Sequence, residues 1–152
     1  MKAGIQVPSS PEIDRDGKKS LKEGDCEMNT MKTKPKVPEE MCMEGSIPKL
    51  VYICSKYSGD TVGNAAKAVR YSRFAVDEGV IPLAPHLLLP LYMDEEKERE
   101  KAIAMDLVIL GRCDELWVFG EEWSAGMKAE IEVAGRLGMK IRRFTEECRE
   151  EG

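Results

Sequence analysis

Four short runs of β-prone apolar residues recur between Leu50 and Phe144, each separated from the next by a stretch with helical spacing, and that alternation leaves few folds open. Leu50-Val51-Tyr52-Ile53-Cys54 reads as a buried strand bounded by Ser55 and Gly59. Residues 61–78 predict a helix with Asp60 or Thr61 as N-cap and Gly79 as its stop. Val80-Ile81-Pro82-Leu83 predicts a second strand that runs into a Pro-rich loop over residues 84–90. A helix capped by Asp94 runs to Leu110 and stops at Gly111, and Glu115-Leu116-Trp117-Val118-Phe119 is a third strand broken by Gly120. Ser124 caps a third helix up to Gly138, and residues 140–144 form the last strand. The order β-α-β-α-β-α-β predicts an α/β fold of three layers, a parallel sheet of four or five strands with helices on both faces. Ligands of such sheets bind outside the carboxyl ends of the strands, where the strand order reverses. Residues 55–60, 84–92 and 120–126 are therefore the loops where a site is expected.

The alternation does not extend before Pro48. All nine aromatic residues follow that point, the first being Tyr52. The preceding stretch mixes Lys, Glu, Asp, Pro, Ser and Met without a period of 2 or 3.6. Such a composition buries too little surface to offset its conformational entropy. Residues 1–47 are expected to be a disordered or loosely attached arm, and residues 48–152 the domain. The arm carries eight basic and nine acidic residues, a balance that argues against a nucleic-acid or membrane tail. A partner-binding peptide is the other reading of such an arm.

A formal net charge of -5 makes the phosphate backbone of nucleic acid an improbable partner. No apolar run approaches the ~18 residues of a membrane helix, and Met1-Lys2-Ala3-Gly4 does not open like a signal peptide. A cytoplasmic protein is expected. The five cysteines are odd in number, scattered, and contain no C-x-x-C pair. With one histidine, His86, beside them, no metal site is expected.

Two carboxylates interrupt apolar stripes. Met127, Ile131, Ala134 and Gly138 share one face of the third helix, and Glu130 falls on the same face. On the second helix Ile103, Leu107 and Leu110 define a buried line that contains Asp106. A carboxylate on a core-facing stripe is expensive unless paired, and often titrates upward. Either the two form a site, or each caps backbone or pairs with an arginine such as Arg112. Both readings stay open on the residues alone. Trp123-Ser124-Ala125-Gly126 opens the third helix, where free N–H groups and the helix dipole favour an anion. A plain Ser N-cap is the commoner use of such a residue. Trp123 stacks on a base or covers the loop; His86 faces the cleft or is structural. No P-loop, no G-x-G-x-x-G and no Ser-His-Asp arrangement is present.

Together, Val51-Tyr52-Ile53-Cys54, Asp106-Leu107, Cys113 to Gly120, and Ser124-x-Gly126-Met127-x-x-Glu130-Ile131-x-x-Ala134 resemble the nucleoside 2-deoxyribosyltransferase-like superfamily, over nearly all of residues 49–144. Within it, the chain looks closest to an uncharacterised branch common in bacteria and their phages. The resemblance implies a flavodoxin- or Rossmann-like form of the sheet, a homo-oligomer, and no cofactor. It implies that Glu130 is the nucleophile, that Asp106 assists at the base, and that Tyr52 orients Glu130. Asp106 and Asp114 reproduce the family's eight-residue spacing. Ser124, six residues before Glu130, resembles the deoxynucleoside 5'-monophosphate N-hydrolases, whose serine contacts phosphate; the transferases tend to have aspartate there. The turn Ser55-Lys56-Tyr57-Ser58-Gly59 departs from the family's usual glycine-rich form.

The implied partner is a small nucleoside or nucleotide, and the implied activity is that of an N-glycosidase or deoxyribosyltransferase. Asp106 would protonate the departing base while Glu130 attacks C1'. Lys56, Ser55, Trp123, His86, and Ser124 with Gly126 are the expected substrate-binding residues, Lys56 and the N–H groups after Ser124 holding a 5'-phosphate. The competing readings are a nucleotide-sensing module without turnover and a scaffold for protein contacts. Convergence of Asp106 and Glu130 on one cleft separates the site readings from the scaffold.

Overall fold

A computed structural model describes residues 45–152 together with Pro38, Glu40 and Cys42. Most of the expected N-terminal arm lies outside the described residues. The elements in chain order are β1 (Leu50–Cys54), α1 (Thr61–Asp77), β2 (Ile81–Leu83), α2 (Pro85–Leu88), α3 (Arg99–Leu110), β3 (Glu115–Phe119), α4 (Ala125–Arg136), β4 (Lys140–Phe144) and β5 (Glu150–Glu151), with a 3-10 turn at Leu89–Leu91 after α2. They build one five-stranded sheet in the order β2-β1-β3-β4-β5, parallel except for β5. Tyr52 stands opposite Leu83 on one side and Leu116 on the other. This is the α/β architecture expected from the alternation.

Strands β1 and β3 run through the middle of the sheet and are covered on both faces, which is why they read as unbroken apolar runs. Their alternate residues divide between two cores. Val51, Ile53, Trp117 and Phe119 meet Tyr71 and Ala75 of α1, and Tyr71 stacks on Phe119 with ring centroids 4.3 Å apart. Tyr52, Cys54, Leu116 and Val118 meet Leu110 of α3 and Met127 and Ala134 of α4. One carboxylate breaks the central run. Glu115 is buried, and it accepts hydrogen bonds from Lys49 Nζ at 2.6 Å and Trp117 Nε1 at 3.0 Å, so its burial is compensated.

The chain leaves β1 toward β2 and then returns past β1 to β3, so the strand order reverses between β1 and β3. Tyr52 and Cys54 on β1 therefore share one face of the sheet with α3 and α4. Gly120 ends β3 with a φ of +88°, a conformation L side chains rarely adopt, and turns the chain off the sheet at this reversal.

Four local expectations are corrected. The Pro-rich loop over residues 84–90 folds into α2 and the 3-10 turn, because Pro85 sits in the first turn, where its fixed φ and missing N–H are harmless. Asp94 does not cap α3, which starts at Arg99. Its Oδ1 instead accepts from the Glu96 and Lys97 N–H groups, both at 3.1 Å, and closes a separate turn. Ile103, expected on the buried line of the second helix, is 41% exposed because a cleft opens beside it. The fifth strand, β5, runs antiparallel to β4 where an all-parallel sheet is expected, and its two glutamates carry no strand pattern.

Candidate active site

Helix α4 begins where Ser124 Oγ accepts the Met127 N–H at 3.3 Å, and this cap fixes the rotation of the helix. Met127 and Ala134 then bury against the sheet, and Glu130, between them, is carried over the end of β1. There Tyr52 Oη donates to Glu130 Oε1 at 2.8 Å. The Cys54 thiol, two residues on and on the same face, lies beside the same carboxylate and favours its charged form. Burial pushes the Glu130 carboxyl upward, against the pull of the Cys54 thiol and the Tyr52 hydroxyl. Burial and the charge of Glu130 raise the Tyr52 phenol as well, so it remains a donor at any pH of interest.

Asp106 reaches the same place from α3. Its Oδ1 is buried without a hydrogen-bond partner, and burial, followed by the charge of Glu130, pushes its carboxyl up to about 7. Among the described residues neither carboxylate has a cationic partner, so the ion pair with an arginine such as Arg112 is not formed. Asp114 is placed differently: its Oδ2 accepts the Leu50 N–H at 2.9 Å and ties β1 to the start of β3.

Asp106 and Glu130 line a cleft of about 630 Å³ at the carboxyl end of the sheet, together with Ser55, His86, Ser124 and Gly126. His86 Nε2 lies 3.0 Å from Ser55 Oγ, and burial lowers the imidazole to about 4, so it is neutral at pH 7. Two other residues expected at the site lie elsewhere. Lys56 lines a second cleft of about 600 Å³, beside Lys67 and Tyr71 of α1, and pairs there with Glu122 at 3.1 Å. Trp123 does not line the first cleft: its Nε1 donates to the Gly120 carbonyl at 3.1 Å, and the Arg143 guanidinium lies 4.9 Å over its ring. It covers the loop. Ser124→Ala should lower stability by about 1 kcal/mol through loss of the cap, read from urea denaturation.

Residues 49–144 match a family described as a domain of unknown function, DUF7768. The chain belongs to the DUF7768 family. No curated protein matches it significantly. Among solved structures, this DUF7768 chain is similar to a 2-deoxyribosyltransferase from Bacillus psychrosaccharolyticus, at 19% identity and a TM-score of 0.51, over 63% of this chain and 72% of that one. It is also similar to a 2-deoxyribosyltransferase from Leishmania mexicana, at 21% identity and a TM-score of 0.48, over 64% of this chain and 65% of that one. The first of these likenesses shows a shared fold.

Several residues at the DUF7768 cleft escape a reading of the sequence. Cys54, fully buried behind the cleft, is one, although its position two residues after Tyr52 on a strand puts both on one face. Tyr57 and Arg99 line the cleft itself. The signal for Arg99 is its seven-residue spacing from Asp106, two helical turns on one face. Among the described residues no group of three or more His, Cys, Asp or Glu side chains is arranged to hold a metal, and no helix is long and apolar enough to cross a membrane.

Proposed function

We propose that this protein is an N-glycosidase or deoxyribosyltransferase that acts on (deoxy)nucleosides or their 5'-monophosphates, with Glu130 as nucleophile. The observation that carries this reading is the convergence of two cation-free carboxylates on one cleft. Glu130 is held by Tyr52 Oη at 2.8 Å, and Asp106 offers a buried, unpartnered oxygen beside it. Cleavage of an N-glycosidic bond builds positive charge on the sugar and negative charge on the departing base. A fixed carboxylate meets the first need and a protonated carboxyl the second. With its carboxyl raised to about 7, Asp106 is protonated in about half of the molecules at neutral pH.

In this mechanism a Glu130 carboxylate oxygen attacks C1', and the C1'–N bond breaks with its electron pair going to the base. Asp106 delivers its proton to the base nitrogen. Water or the nitrogen of a second base then attacks C1' of the glycosyl ester, releases the Glu130 carboxylate and returns a proton to Asp106. Tyr52 holds the plane of the attacking carboxylate throughout. Ser55 and His86 contact the base and sugar, and the first-turn amides after Ser124 face the 5'-phosphate of a nucleotide. Every proton and electron pair is accounted for by these side chains.

The test is a panel of ribo- and 2'-deoxynucleosides and their 5'-monophosphates, assayed for free base by chromatography, with a second base added to detect transfer. Release of base from at least one of them is expected. If the same compounds raise the melting temperature yet none releases base, the protein is a nucleotide-binding module instead.

A further inference from the structure

Arg99 opens α3, and Ala102, Ile103 and Asp106 follow it at the third, fourth and seventh positions. All four lie along one helix face, and all four line the 630 Å³ cleft. Seven residues at 1.5 Å each set Arg99 about 10 Å along the helix from Asp106. The other charged side chains lining this cleft are carboxyls: Glu95, Asp106 and Glu130. Among the described residues the Arg99 guanidinium takes part in no ion pair or hydrogen bond. Lys56, expected to hold phosphate, points into the other cleft and pairs with Glu122.

A cleft lined by three carboxyls repels a dianionic ligand unless a cation opposes them. A guanidinium without a protein partner, two helical turns from Asp106, matches a phosphate by paired N–H···O bonds. We propose that Arg99 is the specificity-determining residue of the cleft and selects nucleoside 5'-monophosphates over nucleosides by binding the 5'-phosphate. This inference rests on the glycosyl-transfer reading for the placement of the sugar at Glu130, but its test does not depend on turnover.

The four common 2'-deoxynucleosides and their 5'-monophosphates are titrated calorimetrically into the full chain, in the parent and the Glu130→Gln backgrounds, with Arg99 intact, Arg99→Gln or Arg99→Lys. With Arg99 intact, the monophosphates should bind more tightly than the nucleosides. Arg99→Gln should weaken monophosphate binding by at least about tenfold and leave nucleoside binding within about twofold. Arg99→Lys should keep part of the preference, and added salt should reduce it. Equal binding of the two ligand classes with Arg99 intact overturns the proposal, as does a monophosphate-to-nucleoside ratio that Arg99→Gln does not change. An Arg99-dependent preference in a parent protein that releases no base supports Arg99 while removing the glycosidase reading. Base release with a preference indifferent to Arg99 does the reverse.

Discussion

Glu130→Gln is expected to slow base release by at least about a hundredfold, roughly 2.7 kcal/mol at the transition state, while leaving the protein folded. Glutamine keeps the size of the side chain and an oxygen to accept from Tyr52 Oη, but it has no carboxylate to form the glycosyl ester. A structural ion pair would predict something else, because removing one partner of a buried pair strands the other charge at a cost of about 3–5 kcal/mol. Glu130 has the Tyr52 hydroxyl as donor and no cationic partner among the described residues, so nothing is stranded. Its burial already opposes ionisation, and a neutral replacement should leave the melting temperature unchanged or raise it. Turnover and thermal melting on the same sample check both halves. Parent-like turnover in the variant would remove Glu130 from the mechanism.

Asp106→Asn should cut base release by about 10²–10⁴-fold and change the pH profile. With its carboxyl raised to about 7 by burial and by Glu130, Asp106 acts as an acid only below that pH. In the parent, the rate should fall about tenfold per pH unit above 7, and the variant should lack this limb. Stability follows the same proton. Between the unfolded value of 3.8 and the folded value of about 7, the native state binds a proton that the unfolded chain has lost. Stability contributed by this group is therefore full below pH 3.8 and declines as pH rises to about 7. Carboxylates lowered by their partners, such as Glu115 and Glu150, give the opposite slope in more acidic solution. The difference in melting temperature between Asp106→Asn and the parent isolates the Asp106 contribution, and it should widen in favour of the variant from pH 4 to pH 7. A difference that does not change with pH would contradict the raised carboxyl.

Where a single physical rule governs a segment, the sequence was readable. Strands β1 and β3 are buried on both faces, so their apolar runs are uninterrupted, and α1 starts at an Asp60 cap whose side chain accepts the Gly63 N–H at 3.0 Å. The carboxylates Asp106 and Glu130 stood out because they break apolar stripes, and the fold brings both to one cleft. Side-chain direction beyond the strand ends was not readable. At Ser55 the chain leaves the sheet, the period of two lapses, and Lys56 turns to the α1 side toward Glu122. Trp123 sits in a loop whose carbonyls and Arg143 satisfy it locally, and only tertiary packing reveals that. Arg99 looks in the sequence like any other solvated charge on a helix, and only the cleft that opens beside Ile103 and Asp106 sets it apart.

In the proposed mechanism Glu130 carries the sugar between the two halves of the reaction. The most direct measurement is mass spectrometry of the protein quenched during turnover of whichever compound of the panel releases base, followed by digestion to locate any adduct. A glycosyl adduct on Glu130 is expected, accumulating before steady state and absent in Glu130→Gln. An adduct on another residue, or base release at the parent rate from Glu130→Gln with no adduct on Glu130 in the parent, would contradict it.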